Sequence, residues 1–114
     1  MSAFPILTYD QLEAVLAGPG LVLLDFWQGS CAPCRALEPR LEHFGQRHPS
    51  AFTGYRIDID ADLPTAETYG VQSIPTILLL RNGREIGRLD GLIRDVDLEE
   101  ALTRAQTSTQ DQAR

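Results

Sequence analysis

The stretch LVLLDFWQGSCAPC, residues 21–34, decides the fold. Its first part, Leu21 to Trp27, is apolar apart from Asp25. A half-exposed strand alternates polar with apolar, so a continuous run of this kind is expected to be a strand covered on both faces. Just beyond it stand Cys31 and Cys34, the only cysteines in the chain, separated by Ala32 and Pro33. Leu37, Leu41 and Phe44 then recur three to four residues apart, so a helix starts at or inside the cysteine segment. Pro39 falls within it and is expected to kink it, because proline removes a backbone donor.

Upstream, Thr8 and Gln11 form a capping-box pattern ahead of Leu12, Val15 and Leu16 at helical spacing. Gly18 to Gly20 ends that helix. Downstream, YRIDID (residues 55–60) alternates and predicts a strand. LPTAETYG (63–70) predicts a short helix, with Pro64 in its first turn and Gly70 as its stop. TILLL (76–80) reads as a second buried strand. Asn82-Gly83 is a strong hairpin signal, so EIGRL (85–89) should return antiparallel. Asp95 is placed to cap a last helix carrying Val96, Leu98, Ala101, Leu102 and Ala105. The order α-β-α-β-α-β-β-α implies an α/β fold: a parallel pair from a βαβ unit plus an antiparallel hairpin, in one mixed sheet with helices on both faces. Residues 1–106 read as a single domain. Residues 107–114 read as a polar, disordered tail.

Composition narrows the function. The chain has 114 residues, 43% hydrophobic and 23% charged, which suits one ordinary globular core. A formal net charge of -6 disfavours nucleic acid and anionic membrane surfaces as partners. No apolar run is long enough to span a bilayer, and the N-terminus lacks a basic, apolar leader. A cytoplasmic protein is expected.

The cysteines admit three uses. Cys31, Cys34, His43 and His48 superficially resemble a zinc set. However, Cys34 and His43 would be roughly 13 Å apart along one helix, so no metal site is expected, and the histidines read as surface residues. A pair of buried structural cysteines is the second use. The third is a redox couple. A helix N-terminus carries unpaired N–H groups and partial positive charge, which favours thiolate at the first cysteine. The second cysteine lies one turn on, within reach of a small-loop disulfide. C-x-x-C beside a βαβ pattern reads as a redox motif of this kind.

At this point the chain resembles the thioredoxin family, from about residue 6 to 105. DFW…CAPC resembles the family's strand and active site, YRIDID its third strand, YGVQSIPT the segment ending in its cis-proline, and NGREIGRLDGL its terminal hairpin and following glycine. The resemblance implies a thioredoxin fold and a thiol–disulfide oxidoreductase, acting as a reductase of protein disulfides. Cys31 would be the nucleophile, Cys34 the resolving thiol and Asp25 the proton partner. Asp25 is a charge inside an apolar strand, and burial there should raise its pKa. Arg56 stands where the family commonly has lysine and could pair with Asp25 or be an ordinary strand cation. Pro75 matches the cis-proline; Ile74, Pro75 and Gly91 would line the substrate groove, beside Trp27 and Pro33. Two positions depart from the family pattern: Ser30 replaces its tryptophan and Ala32 its glycine, which puts the usual reductase and substrates in question. The resemblance implies no organic cofactor beyond the Cys31–Cys34 pair, and an NADPH-dependent thioredoxin reductase as electron source. A redox-inactive binding or chaperone module on the same fold is the alternative.

Overall fold

The computed structural model describes residues 4–112, with side chains described through residue 107. The elements are α1 (Tyr9–Ala17), β1 (Leu21–Trp27), α2 (Ala32–Arg47), β2 (Thr53–Asp58), α3 (Leu63–Thr68), β3 (Thr76–Arg81), β4 (Arg84–Asp90) and α4 (Asp95–Gln112). The sheet runs β2-β1-β3-β4. β1 pairs parallel with β2 and antiparallel with β3, and β3 pairs antiparallel with β4. The mixed sheet and its parallel pair follow the order of elements in the sequence.

β1 is central because it is apolar on both faces. Leu21 and Leu23 pack with Leu37, Leu41 and Phe44 of α2 and with Leu98, Leu102 and Ala105 of α4. Val22, Leu24 and Phe26 face the other way, toward Leu12, Val15 and Leu16 of α1 and Ala66 of α3. Strand geometry sends alternate side chains to opposite faces, so one seven-residue strand anchors two cores. Each fully buried Leu contributes about 2 kcal/mol. The same alternation puts Asp25 on the α2 side, in line with Leu21 and Leu23.

Several boundaries differ from the sequence expectation. β2 begins two residues earlier than YRIDID and ends at Asp58. Its length is set by its partner: Trp27, the last residue of β1, pairs with Asp58. The Asp58 carboxylate then accepts from the Asp60 N–H at 2.9 Å, closing a turn. Asp95 is the first residue of α4, not its cap. Asp97 Oδ2 instead accepts from the Arg94 N–H at 2.8 Å, reaching back over the helix start. Pro39 lies inside α2, where the sequence placed it. The backbone of α4 continues to Gln112, past residue 106, where the sequence placed the domain's end. Residues 113–114 of the expected tail lie outside the described residues. The hairpin is as expected: Asn82 and Gly83 both have positive φ, at 54° and 77°.

The N-terminal segment is tied to the sheet. Ile6 bridges Arg56, and Phe4 is buried against Phe52 with ring centroids 6.0 Å apart. The Phe4 ring lies so close to Gly54 that a Cβ there would meet it at 2.8 Å. Gly54 is therefore required by close approach. Phe4→Ala is expected to cost about 3 kcal/mol of unfolding free energy, and Gly54→Ala about 1–3 kcal/mol. Urea denaturation of the double variant should show less than the sum, since both act on one contact.

Candidate active site

α2 begins where the loop after β1 delivers the cysteines. Cys31 is its N-cap, and Cys31 Sγ accepts from the Cys34 N–H at 3.2 Å. Pro33 sits in the first turn, where no intrahelical donor is needed. Cys31 and Cys34 are joined as a disulfide. The two sulfurs differ in environment: Cys31 is half-exposed, whereas Cys34 is 1% exposed and belongs to the buried face of α2 with Leu37, Leu41 and Phe44. Any external disulfide must therefore meet Cys31.

Asp25 shares the α2-covered face of β1. It is 1% exposed, and neither carboxyl oxygen has a hydrogen-bond partner. Burial pushes its pKa from 3.8 up to about 7. Arg56 works against that rise and Glu38 adds to it. Arg56 is the in-register neighbour of Asp25 across the β1–β2 pair. Of the two sequence readings for Arg56, neither covers its bonds. Arg56 Nη1 donates to Glu38 Oε1 at 2.6 Å, Nε donates to the Phe4 carbonyl at 2.9 Å, and the guanidinium lies 4.8 Å over the Trp27 ring.

A groove beside the disulfide is lined by Pro33, Ile74, Pro75 and Gly91, together with Arg40 and Leu92. The Ile74–Pro75 peptide is cis. Trp27, Ser30 and Ala32 are not in this lining; Ser30 and Ala32 are exposed next to Cys31.

The arrangement joins a half-exposed sulfur at a helix N-terminus, a buried partner sulfur, a buried carboxyl on the same sheet face and an apolar groove with a cis-proline. The Thioredoxin family matches residues 4–104. The chain belongs to the thioredoxin family. It is 34% identical over 96 residues to the thioredoxin of Alicyclobacillus acidocaldarius subsp. acidocaldarius, covering 84% of this chain and 91% of that one. It is 41% identical over 87 residues to the thioredoxin of Chlamydia pneumoniae, covering 76% and 83%. Among solved structures, a Malassezia sympodialis thioredoxin superposes with a TM-score of 0.81 at 27% identity, covering 90% of each chain. A mutant thioredoxin from Halobacterium salinarum gives 0.77 at 27% identity, covering 87% of this chain and 86% of that one. The protein is thus a thioredoxin-fold thiol–disulfide oxidoreductase acting on protein disulfides, and the redox-inactive module is not favoured.

Other features fall outside the site. His48 meets Glu99 of α4 at 2.8 Å and packs edge-on against Phe44; His43 is exposed on α2. Among the described residues no group of three or more His, Cys, Asp or Glu is placed to hold a metal. No described helix is long and apolar enough to cross a membrane. The sequence reading missed Glu38, Arg40, Leu92 and the Phe4 carbonyl. Glu38 had a signal: it stands four residues after Cys34, one helical turn along.

The Asp25 carboxyl makes stability depend on pH in a definite direction. Unfolded, it ionises near 3.8; folded, near 7. Between those values the native state holds a proton that the unfolded chain has lost, so stability falls as pH rises through that window and levels above it. The full effect is on the order of 4 kcal/mol. In the oxidised protein, where the cysteines do not titrate, the stability of Asp25→Asn relative to wild type is expected to improve by about that amount from pH 4 to pH 8. Denaturant titrations across that range check it, and a flat difference would contradict it.

Proposed function

We propose that the chain reduces protein disulfides with Cys31 as nucleophile, Cys34 as resolving thiol and Asp25 as the group that takes the Cys34 proton. The observation that carries this is the asymmetry of the pair: Cys31 is half-exposed at the N-cap of α2, and Cys34 is buried behind it. The N-cap position supports a Cys31 thiolate, because the Cys34 N–H and the helix N-terminus both favour negative charge on Sγ.

The thiolate attacks one sulfur of the substrate disulfide and the other sulfur leaves, giving a mixed disulfide on Cys31. Cys34 then loses its proton to Asp25 and attacks Cys31 Sγ. The Cys31–substrate bond breaks, the Cys31–Cys34 bond forms, and the substrate leaves with both sulfurs reduced. Two electrons have passed from the dithiol to the substrate. An NADPH-dependent thioredoxin reductase in the cytoplasm would return them. Pro33, Ile74, Pro75 and Gly91 offer the groove for an extended substrate segment, and Trp27, Ser30 and Ala32 are assigned to substrate contact as well. Ser30 supplies little apolar contact area, so this protein should grip substrates less tightly than a relative with tryptophan there.

Dithiol-driven reduction of a protein disulfide tests the roles. Cys31→Ser is expected to fall to the uncatalysed rate. Cys34→Ser is expected to accumulate a mixed disulfide that added dithiol releases. Substantial turnover by Cys31→Ser would overturn the assignment.

A further inference from the structure

Arg56 is the cation that acts on Asp25, yet none of its hydrogen bonds goes there. The two are direct neighbours across the sheet. A guanidinium beside an unpaired buried carboxylate ordinarily closes on it, because that pairing is charge-assisted and can be bidentate. Here the guanidinium is held elsewhere by Glu38 of α2, the Phe4 carbonyl of the N-terminal segment and the Trp27 ring at the end of β1. Glu38 is the only one of these three that carries charge. Its pair with Arg56 is also well sheltered, with side chains 27% and 15% exposed. In each of the other four ion pairs among the described residues one partner is at least 37% exposed. Solvent therefore screens the Glu38–Arg56 pair less than the others.

We propose that Glu38 is a positioning residue for the resolving step: it holds the Arg56 guanidinium off Asp25, leaving that carboxylate free to accept the Cys34 proton. This rests on the roles given above to Cys34 and Asp25. The groups that bear on Asp25 are few. β2 brings Arg56 and α2 brings Glu38; Cys34 stands one turn before Glu38 on the buried side of the same helix. β3 brings Ile77 in register, which does not titrate. A carboxylate tied to Arg56 would be a weak base, poorly matched to a thiol. Removing the Glu38 charge acts twice in one direction: it withdraws an anion from Asp25 and releases a cation toward it.

The test uses the full chain and the isosteric change Glu38→Gln, which keeps the size and helix preference of the side chain. Carboxyl ¹³C titration of Asp25 in the oxidised protein is the first readout. Its midpoint is expected to fall by about one pH unit in Glu38→Gln, and by less than half as much when Arg56 is already Met. The second readout is release of substrate from the mixed disulfide in single turnover. Its acidic limb should move down in pH with the midpoint, and its plateau rate should drop about threefold for a half-developed proton transfer. The initial attack by Cys31 should keep its rate. An unchanged Asp25 midpoint in Glu38→Gln, or an equal fall in the Arg56→Met background, would overturn the proposal alone. An Asp25→Asn protein whose release step keeps the wild-type pH profile would overturn the role of Asp25, and the proposal with it.

Discussion

Asp25 lies in a strand that is otherwise apolar and covered on both faces, and its carboxyl has no hydrogen-bond partner. An ionised carboxylate there is costly, so the group holds its proton to near neutrality. The fold tolerates this because the neighbours of Asp25 on β1 bury apolar surface into two cores. Under the proposed function the cost has a chemical use. A carboxyl poised near neutral pH, on the sheet face that α2 covers, can exchange a proton with a thiol that is itself buried.

The helix above the strand completes the site by its position. β1 ends at Trp27, and three residues of connection, Gln28 to Ser30, bring Cys31 to the N-cap of α2. Helical periodicity then turns Cys34 inward with Leu37 and Leu41 while Cys31 stays half-exposed. One cysteine can meet a substrate and the other cannot. The groove formed with Ile74, Pro75 and Gly91 lies beside them, and Leu92, 80% exposed, gives it an apolar rim that the sequence reading passed over.

What the sequence disclosed follows from how local each signal is. The β1 run, the Asn82-Gly83 turn and the Thr8–Gln11 cap depend on neighbouring residues, and the structure has them where the sequence placed them. The start of β2 depends on register with β1, which no local pattern in residues 53–60 specifies. Likewise Asp97, not Asp95, reaches back over the start of α4, a choice between two nearby acids that composition does not decide. The cysteines, Asp25 and Pro75 could be named as candidate site residues because motif spacing carries them, and the structure shows the cysteines as a disulfide, Asp25 as buried and the Pro75 peptide as cis. The clamp on Arg56 was not. It joins Phe4, Glu38, Trp27 and Arg56 from four segments, and only the folded sheet brings them together.

The most direct test is a titration of the Cys31 thiol. Cys34→Ser leaves Cys31 as the sole thiol, and thiolate absorbance against pH reads it alone. The helix N-terminus should hold its midpoint at least about one pH unit below the ordinary thiol value of about 8.5. A midpoint at or above that value would contradict the assignment of Cys31 as the attacking sulfur.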